Sequence, residues 1–350
     1  MADAERANWL VLTTVNQPNA GIDEWMTRLG DAWGVVVVGD VRTPDIWRDR
    51  PLAFLSLERQ RELFGAFAAD ARTNHYARKN FGYLYAAARG AAAIVEIDDD
   101  CLPLPASGAA PPARTVRGRL VGGGDWANVY RWFTDRLIWP RGLPLDAAQQ
   151  GGALRAADAS RDCPVQQFLV DDDPDVDAIY RQLFPDTGFT FDAGAAAVIL
   201  EPGTWCPFNS QNTLWFAEAF PLLYLPQHCN FRVTDIWRSL VVQRALWLLG
   251  GAVAFHTSTV RQLRNPHDLT RDFIDEIPVY TQGREVAACL DRAAGRLAGG
   301  DVIDVGRGLW LSLTAAGILP HEEAVSIERW FDAVATLRQP STSGDDRQRS

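Results

Sequence analysis

Apolar residues along this chain fall into short unbroken runs separated by helical stretches, and that spacing predicts the architecture. Trp9 to Val15 is short, rich in β-formers and closed by Asn16-Gln17-Pro18, which reads as a buried strand. Residues 22–33 have helical periodicity, and Val35 to Val38 form a second apolar strand closed by Gly39-Asp40. Residues 60–71 and 82–89 read as helices. Gly90 stops the second of these, and Ala93 to Ile97 follows as a third strand that runs into Asp98-Asp99-Asp100. Uniformly apolar strands alternating with helices predict an α/β fold: a parallel sheet with helices on both faces. Ligands of such sheets bind beyond the carboxyl ends of the strands, where Thr13, Thr14, Asp40 and the Asp triplet are all expected to lie.

The later pattern is less regular. Residues 101–125 are rich in Pro, Ala and Gly and read as an irregular loop or edge strand. Residues 126–138 have helical spacing up to Pro140, and Asp173-Pro174-Asp175 is expected to cap a helix through Leu183. Val198 to Leu200 and Val253 to Phe255 read as strands, and Thr234 to Leu249 as a helix ended by Gly250-Gly251. Residues 283–298 and 307–337 read as helices, and 339–350 as a polar, disordered tail. The sequence contains no internal repeat.

Composition narrows the function without naming it. The 350 residues are 47% hydrophobic and 22% charged, as in an ordinary globular protein. The net charge of −10 disfavours a nucleic-acid backbone as partner but not a nucleotide held through a divalent metal. The five cysteines are odd in number and show no C-x-x-C spacing, which argues against disulfides and a structural zinc site. No apolar run reaches 18 residues and Met1 to Arg6 lacks a signal-peptide h-region, so the expected compartment is the cytoplasm, with peripheral membrane association left open. Of the 34 basic residues, Lys79 is the only lysine. A chain that otherwise uses arginine points to a place that needs a compact ammonium.

Several residues carry candidate chemistry. Asp98 and Asp100, alternate residues at a strand end, share a face and suit Mg²⁺ or Mn²⁺ through oxygen ligands, while Asp99 suits a ribose or sugar. An acidic triplet can equally be a solvated turn, and Asp171-Asp172-Asp173, followed by Pro174, reads as such a cap. Arg78 and Lys79, beside a helix start, suit phosphate. Asn209, Gln211 and Asn212 crowd amides into one turn, a way of holding sugar hydroxyls. Asp235, near a helix N-terminus, is a candidate general base or sugar ligand. His256, after an apolar strand, is a candidate metal ligand.

Six segments in this order resemble the glycosyltransferase-like domain of the plant STELLO proteins. They are Lys79 to Tyr85 followed by Asp98 to Asp100, Trp139 to Pro144, Asp173 to Tyr180, Pro207 to Thr213, and Thr234 to Arg238, within roughly residues 8–290. A more distant similarity is to the reversibly glycosylated polypeptides, which are UDP-arabinopyranose mutases. It rests on the strand with its Asp triplet, the Arg141 to Pro144 turn, Asp235 to Trp237, Phe255-His256 and Asn265-Pro266. The resemblance implies a GT-A-like Rossmann-type domain over 1–290, with a nucleotide-binding part at about 8–125 and an acceptor-side part at about 126–290. A helical extension, 291–338, would follow.

It also implies a metal-dependent glycosyltransferase that moves a sugar from a nucleotide-sugar, UDP above all, to an acceptor hydroxyl in glycan or polysaccharide synthesis. Thr13, Asn16 and Asp40 would hold base and ribose, and Arg78, Lys79, Asp98 and Asp99 the rest of the donor. Asp98, Asp100 and His256 would hold Mn²⁺ or Mg²⁺. Asp235 would act as base, and Arg141, Asn209, Gln211, Asn212, Trp237 and Arg238 would contact substrate. The alternatives are a sugar-nucleotide mutase and a non-catalytic assembly partner of a polysaccharide synthase. Against the mutase, the place of its glycosylated arginine here reads Leu214-Trp215-Phe216-Ala217.

Overall fold

Strand β1 (Asn8–Thr14) shows why the molecule is layered. Trp9 and Val11 enter one core while Leu10 and Leu12 enter another, as strand alternation requires. β2 (Trp33–Gly39) repeats this division with Val36 and Val38 against Val35 and Val37. Helix α1 (Ala20–Leu29) covers one face through Ile22, Trp25 and Leu29, and Asn19 caps it by accepting the Ile22 amide at 3.1 Å. β3 (Ala53–Leu55), α2 (Leu57–Ala69) and α3 (Lys79–Ala87) follow, and α3 lies on the other face against β1 and β2. Contact is made at Gly82, where a Cβ would fall 2.5 Å from Val11 Cγ1.

β4 (Ala93–Ile97) pairs parallel with β1, and β1, β2 and β3 are parallel in turn, so this half matches the expected parallel sheet. Beyond it the sheet is mixed. β5 (Cys101–Pro103), β6 (Thr115–Gly122), β7 (Ala153–Asp162) and β8 (Val165–Asp171) precede the short helix α4 (Ala178–Leu183). Then come β9 (Val198–Leu200), β10 (Asn212–Phe216), helix α5 (Thr234–Leu249) and β11 (Val253–Gln262). The computed structural model describes residues 6–105, 107, 111–185, 188–264 and 268–338. Among these the strand order is β3-β2-β1-β4-β10-β8-β11-β9-β6-β7, with β5 on β11. β10 runs antiparallel between β4 and β8, so one sheet continues from the parallel strands into the mixed half. β4, β8 and β11 therefore share a direction, and their carboxyl ends open on one edge.

Three helices complete the chain: α6 (Leu269–Ala294), α7 (Val302–Ala315) and α8 (Glu323–Arg338). The expected tail 339–350 and the Asn265-Pro266 pair lie outside the described residues. No helix among the described residues is long and apolar enough to cross a membrane.

Several expected elements differ. The helix expected over 126–138 is a 3₁₀ turn, Val129–Trp132. Asn128 diverts the backbone, giving its amide hydrogens to Ile138 O at 2.7 Å and Ala148 O at 2.6 Å. The helix expected to start near Asp173 starts at Ala178, capped by Asp177 accepting the Tyr180 amide at 2.8 Å. The 101–125 segment contains β5 and β6, and 307–337 is broken by Gly317 to Pro320 into α7 and α8.

α5 is buried on nearly all sides, and its Arg238 ends in the core against Glu96 of β4, both wholly buried. Glu96 accepts Arg238 at 2.6 and 3.1 Å and Trp215 Nε1 at 2.9 Å, with Tyr83 as a further donor. The guanidinium lies 4.9 Å from the Trp215 ring centroid. Trp237 is 1% exposed. Both side chains are buried and Arg238 is committed to Glu96, so in place of the expected substrate role they have a structural one: fastening α5 to the sheet. Arg238→Met leaves Glu96 buried without its cation and is expected to cost about 3–5 kcal/mol in urea unfolding. A loss under about 1 kcal/mol, as for an exposed pair, would contradict this.

Candidate functional site

Lys79 opens α3 at the shared edge, and its side chain is fully buried. It donates to Tyr76 Oη at 2.6 Å, Ser210 O at 3.0 Å and Asp98 Oδ1 at 3.1 Å, which uses every hydrogen of the ammonium. Tyr76 in turn donates to Asp98 Oδ1 at 2.6 Å and accepts from Ser210 Oγ at 2.7 Å. Burial, with Asp98 beside it, pushes the Tyr76 phenol well above its ordinary value and keeps it a donor. Lys79 is thus spent on holding Asp98 and is not free to meet a phosphate.

The three carboxylates of the triplet face different partners. Asp99 binds Thr14 Oγ1 and accepts Asn16 Nδ2 at 2.9 Å, while its carbonyl accepts Asn19 Nδ2 at 2.8 Å. Burial raises its pKa, and the Thr14 and Asn16 bonds oppose that rise. Asp100 accepts Gln262 Nε2 at 3.0 Å; burial, then the neighbouring Asp98, pushes it up to about 7.

A hard divalent cation fits this donor set. The bonds to the Asp98 carboxylate all fall on Oδ1, and 30% of that side chain stays exposed. A cation shared with Asp100 would relieve the repulsion between the two. Two carboxylates are the protein share that Mg²⁺ takes when water and substrate phosphates fill its other positions. Among the described residues no three His, Cys, Asp or Glu side chains group into a protein-only cage. His256 stands on β11 six residues before Gln262, the residue that holds Asp100 at the far end of the strand. It stacks on Phe168 at 4.6 Å, and burial lowers it to about 4. The structure does not bring His256 to the triplet.

Beside Ser210 lies a second cluster. Arg141 holds Asp175 at 2.9 and 3.0 Å and Asp235 at 2.9 and 3.2 Å, all with little exposure. Burial alone would raise Asp175, but the Arg141 guanidinium outweighs it and holds this carboxyl below the usual range. Asn209 Nδ2 donates to Asp175 at 3.0 Å, and the Ser210 amide lies 3.4 Å from Asp235. Arg141, Asp175, Asn209 and Gln167 line a narrow crevice of only about 10 Å³. Both Asp235 oxygens are committed to Arg141, a placement suited to orienting neighbours rather than to taking a proton.

The other expected ligands are tied into the frame. Thr13 donates to Val38 O at 3.0 Å. Asp40 accepts the Val41 and His75 amides at 2.7 and 3.1 Å, joining β2 to the turn before Lys79. Arg78 points away from the triplet, binding Gln60 and the carbonyls of Ala71 and Arg72, and burial lowers it to about 10. Asn212 bonds Leu169 O and Thr259 at 3.2 and 3.0 Å. Gln211 is buried, and its Oε1 has no hydrogen-bond partner among the described residues. In the second triplet Asp173 pairs with Arg181, as a structural turn would. Sequence reading missed Tyr76, Ser210, Asp175 and Gln262 as site residues. Tyr76 precedes Lys79 by one helical turn, a spacing that could have flagged it.

The model of the STELLO glycosyltransferases matches residues 232–294, the segment from Arg232 through α5 and β11 to the end of α6. The chain is 29% identical over 285 residues to the probable glycosyltransferase STELLO2 of Arabidopsis thaliana, covering 73% of this chain and 35% of that protein. Probable glycosyltransferase STELLO1 of the same plant is 27% identical over 292 residues, 75% and 36% of the two chains. The chain thus spans about a third of the length of these curated relatives. Among solved structures, the glucosyl-3-phosphoglycerate synthase of M. tuberculosis aligns over 83% of this chain and 80% of its own, with a TM-score of 0.37 and 13% identity.

The raised Asp100 has two measurable consequences. Protons compete with any cation held by Asp98 and Asp100, so Mn²⁺ affinity should rise roughly tenfold from pH 6 to pH 8 and level off above. A folded-state pKa above the unfolded value destabilises the fold as pH rises toward 7, so Asp100→Asn should raise the melting temperature at pH 8 but not at pH 4. Calorimetric titration and thermal melts test both. Mn²⁺ affinity independent of pH, or an Asp100→Asn variant less stable at pH 8, would count against the assignment.

Proposed function

We propose, from its sequence relationship to the STELLO glycosyltransferases and the geometry of its acidic turn, that this protein is a metal-dependent glycosyltransferase using a nucleotide-sugar donor, UDP-linked by preference. The observation that carries the reading is the pairing of Asp98 and Asp100 at the carboxyl end of β4. One is pinned by a buried lysine, and the other is raised to about 7 in a site built from hard oxygen donors. A Mg²⁺ or Mn²⁺ held there with the donor diphosphate would neutralise charge on the departing nucleotide.

The chain's own residues have definable tasks under this reading. Lys79 and Tyr76 hold Asp98 Oδ1 and so set the direction of the carboxylate. Asp99, through Thr14 and Asn16, draws the end of β1 up to the triplet, where β1 and β2 would receive the nucleoside. Arg141 keeps Asp175 charged and holds both Asp175 and Asp235 in place. Asp235 then acts as a positioning residue for the Ser210 turn, and Asn209 and Gln211 present amides on the sugar side.

The sugar-nucleotide mutase alternative is disfavoured by β10. The segment in place of the mutase arginine lies in the sheet between β4 and β8, with Leu214 and Trp215 fully buried. In a thermal-shift assay, UDP with Mn²⁺ should raise the melting temperature and UDP alone should raise it less. The gain should vanish in Asp98→Ala and Asp100→Ala. No stabilisation by any nucleotide with Mn²⁺ would defeat the enzyme reading and favour an assembly role.

A further inference from the structure

A second cavity lies at the opposite edge of the sheet. β6 and β9 run against the direction of β4, so Trp126 and Trp205, which follow them, emerge away from the Asp triplet. These two indoles are joined by a backbone bridge and stack at 6.1 Å. Trp247, near the end of α5, packs on Trp205 at 4.4 Å to complete a row of three. Cations close both ends: Arg284 lies 5.8 Å from the Trp126 ring centroid and Arg244 lies 5.6 Å from that of Trp247. Arg244 pairs with Asp291 at 2.8 Å. Trp126 and Trp205 are 4% exposed and form the base, Trp247 is half-buried, and Arg284 and Asp291 are about half exposed. The open groove has a volume of about 560 Å³.

We propose that this groove is a binding site for a neutral oligosaccharide. The partly exposed Trp247 indole, backed by buried Trp126 and Trp205, offers an apolar surface to the C–H face of a pyranose, while guanidinium and carboxylate groups meet vicinal hydroxyls in planar pairs. Both cations of the groove are already paired, Arg244 with Asp291 and Arg284 with Asp146, and Asp125 also lines it, so no free positive charge favours a phosphate over an uncharged ligand. The inference rests on the transferase reading only in supposing that a glycan is the natural occupant. Helix α5 joins the two sites: Asp235 lies in its first turn, and Arg244 and Trp247 follow roughly 14 and 18 Å along the axis. An acceptor chain could thus be retained at a distance from the cleft where its end reacts.

The test titrates neutral gluco-, manno-, galacto- and xylo-oligosaccharides into the full chain by calorimetry, with UDP plus Mn²⁺ titrated in parallel. At least one saccharide should bind and quench tryptophan fluorescence. Its affinity should fall roughly tenfold or more in Trp247→Ala. Arg284→Ala and Asp291→Ala, at exposed positions that the fold does not need, should weaken it in the same way, with UDP–Mn²⁺ binding unchanged in all three. Binding of UDP with no saccharide bound, or saccharide binding undiminished in the three variants, would overturn the groove. Saccharide binding that is lost in the variants while UDP fails to bind the wild type would uphold the groove and overturn the transferase reading.

Discussion

A buried ammonium must find three acceptors, and Lys79 finds them on three separate parts of the chain. Tyr76 comes from the turn before α3, Asp98 from the end of β4 and Ser210 from the turn that leads into β10. Leaving any of these bonds unmade would strand a desolvated charge, so the three segments are locked together. A planar guanidinium could not address three converging acceptors in this way, which accounts for a lone lysine among 34 basic residues. The geometry of the acidic turn follows from that lock. With Asp98 fixed and Asp99 drawn to Thr14 and Asn16, Asp100 is left beside Asp98 and near Gln262.

Arginines elsewhere serve the same economy of charge. Arg238 neutralises Glu96 in the core, and Arg141 holds two carboxylates at the rim. Ser210 stands between the systems, its carbonyl on Lys79 and its amide toward Asp235. The site is therefore a continuous polar network from Asp98 to Asp175 rather than a set of independent side chains. Residues that looked like separate ligands, such as Asp40, Arg78 and Asp235, are members of the frame that holds the few exposed oxygens in place.

Strands β1, β2 and β4 of the parallel half were legible because they are continuous apolar runs ended by polar or glycine residues, whereas the three-residue β3 was too short to show. The Asp triplet at the end of β4 was legible for the same reason. Strands β7 and β8 were not: β7 is exposed along almost its whole length, and buried Gln166 and Gln167 interrupt the apolar pattern of β8. Residues 126–138 mislead because Trp126, Val129, Tyr130 and Phe133 are buried by surrounding core, not by one helical stripe. Lys79 was recognisable by rarity, but its task was hidden because the acceptor Ser210 lies 131 residues away. Asp235 looked catalytic by its place at a helix start; only the fold shows that Arg141 occupies both of its oxygens.

The central claim is that Asp98 and Asp100 share a divalent cation with a nucleotide diphosphate. Crystals grown with UDP and MnCl₂, measured at the manganese absorption edge, address it most directly. The account predicts one strong anomalous peak within bonding distance of both carboxylates and of diphosphate oxygens, with Lys79 still on Asp98 Oδ1. Ordered UDP with no anomalous peak at the triplet, or a peak held by other residues, would contradict it.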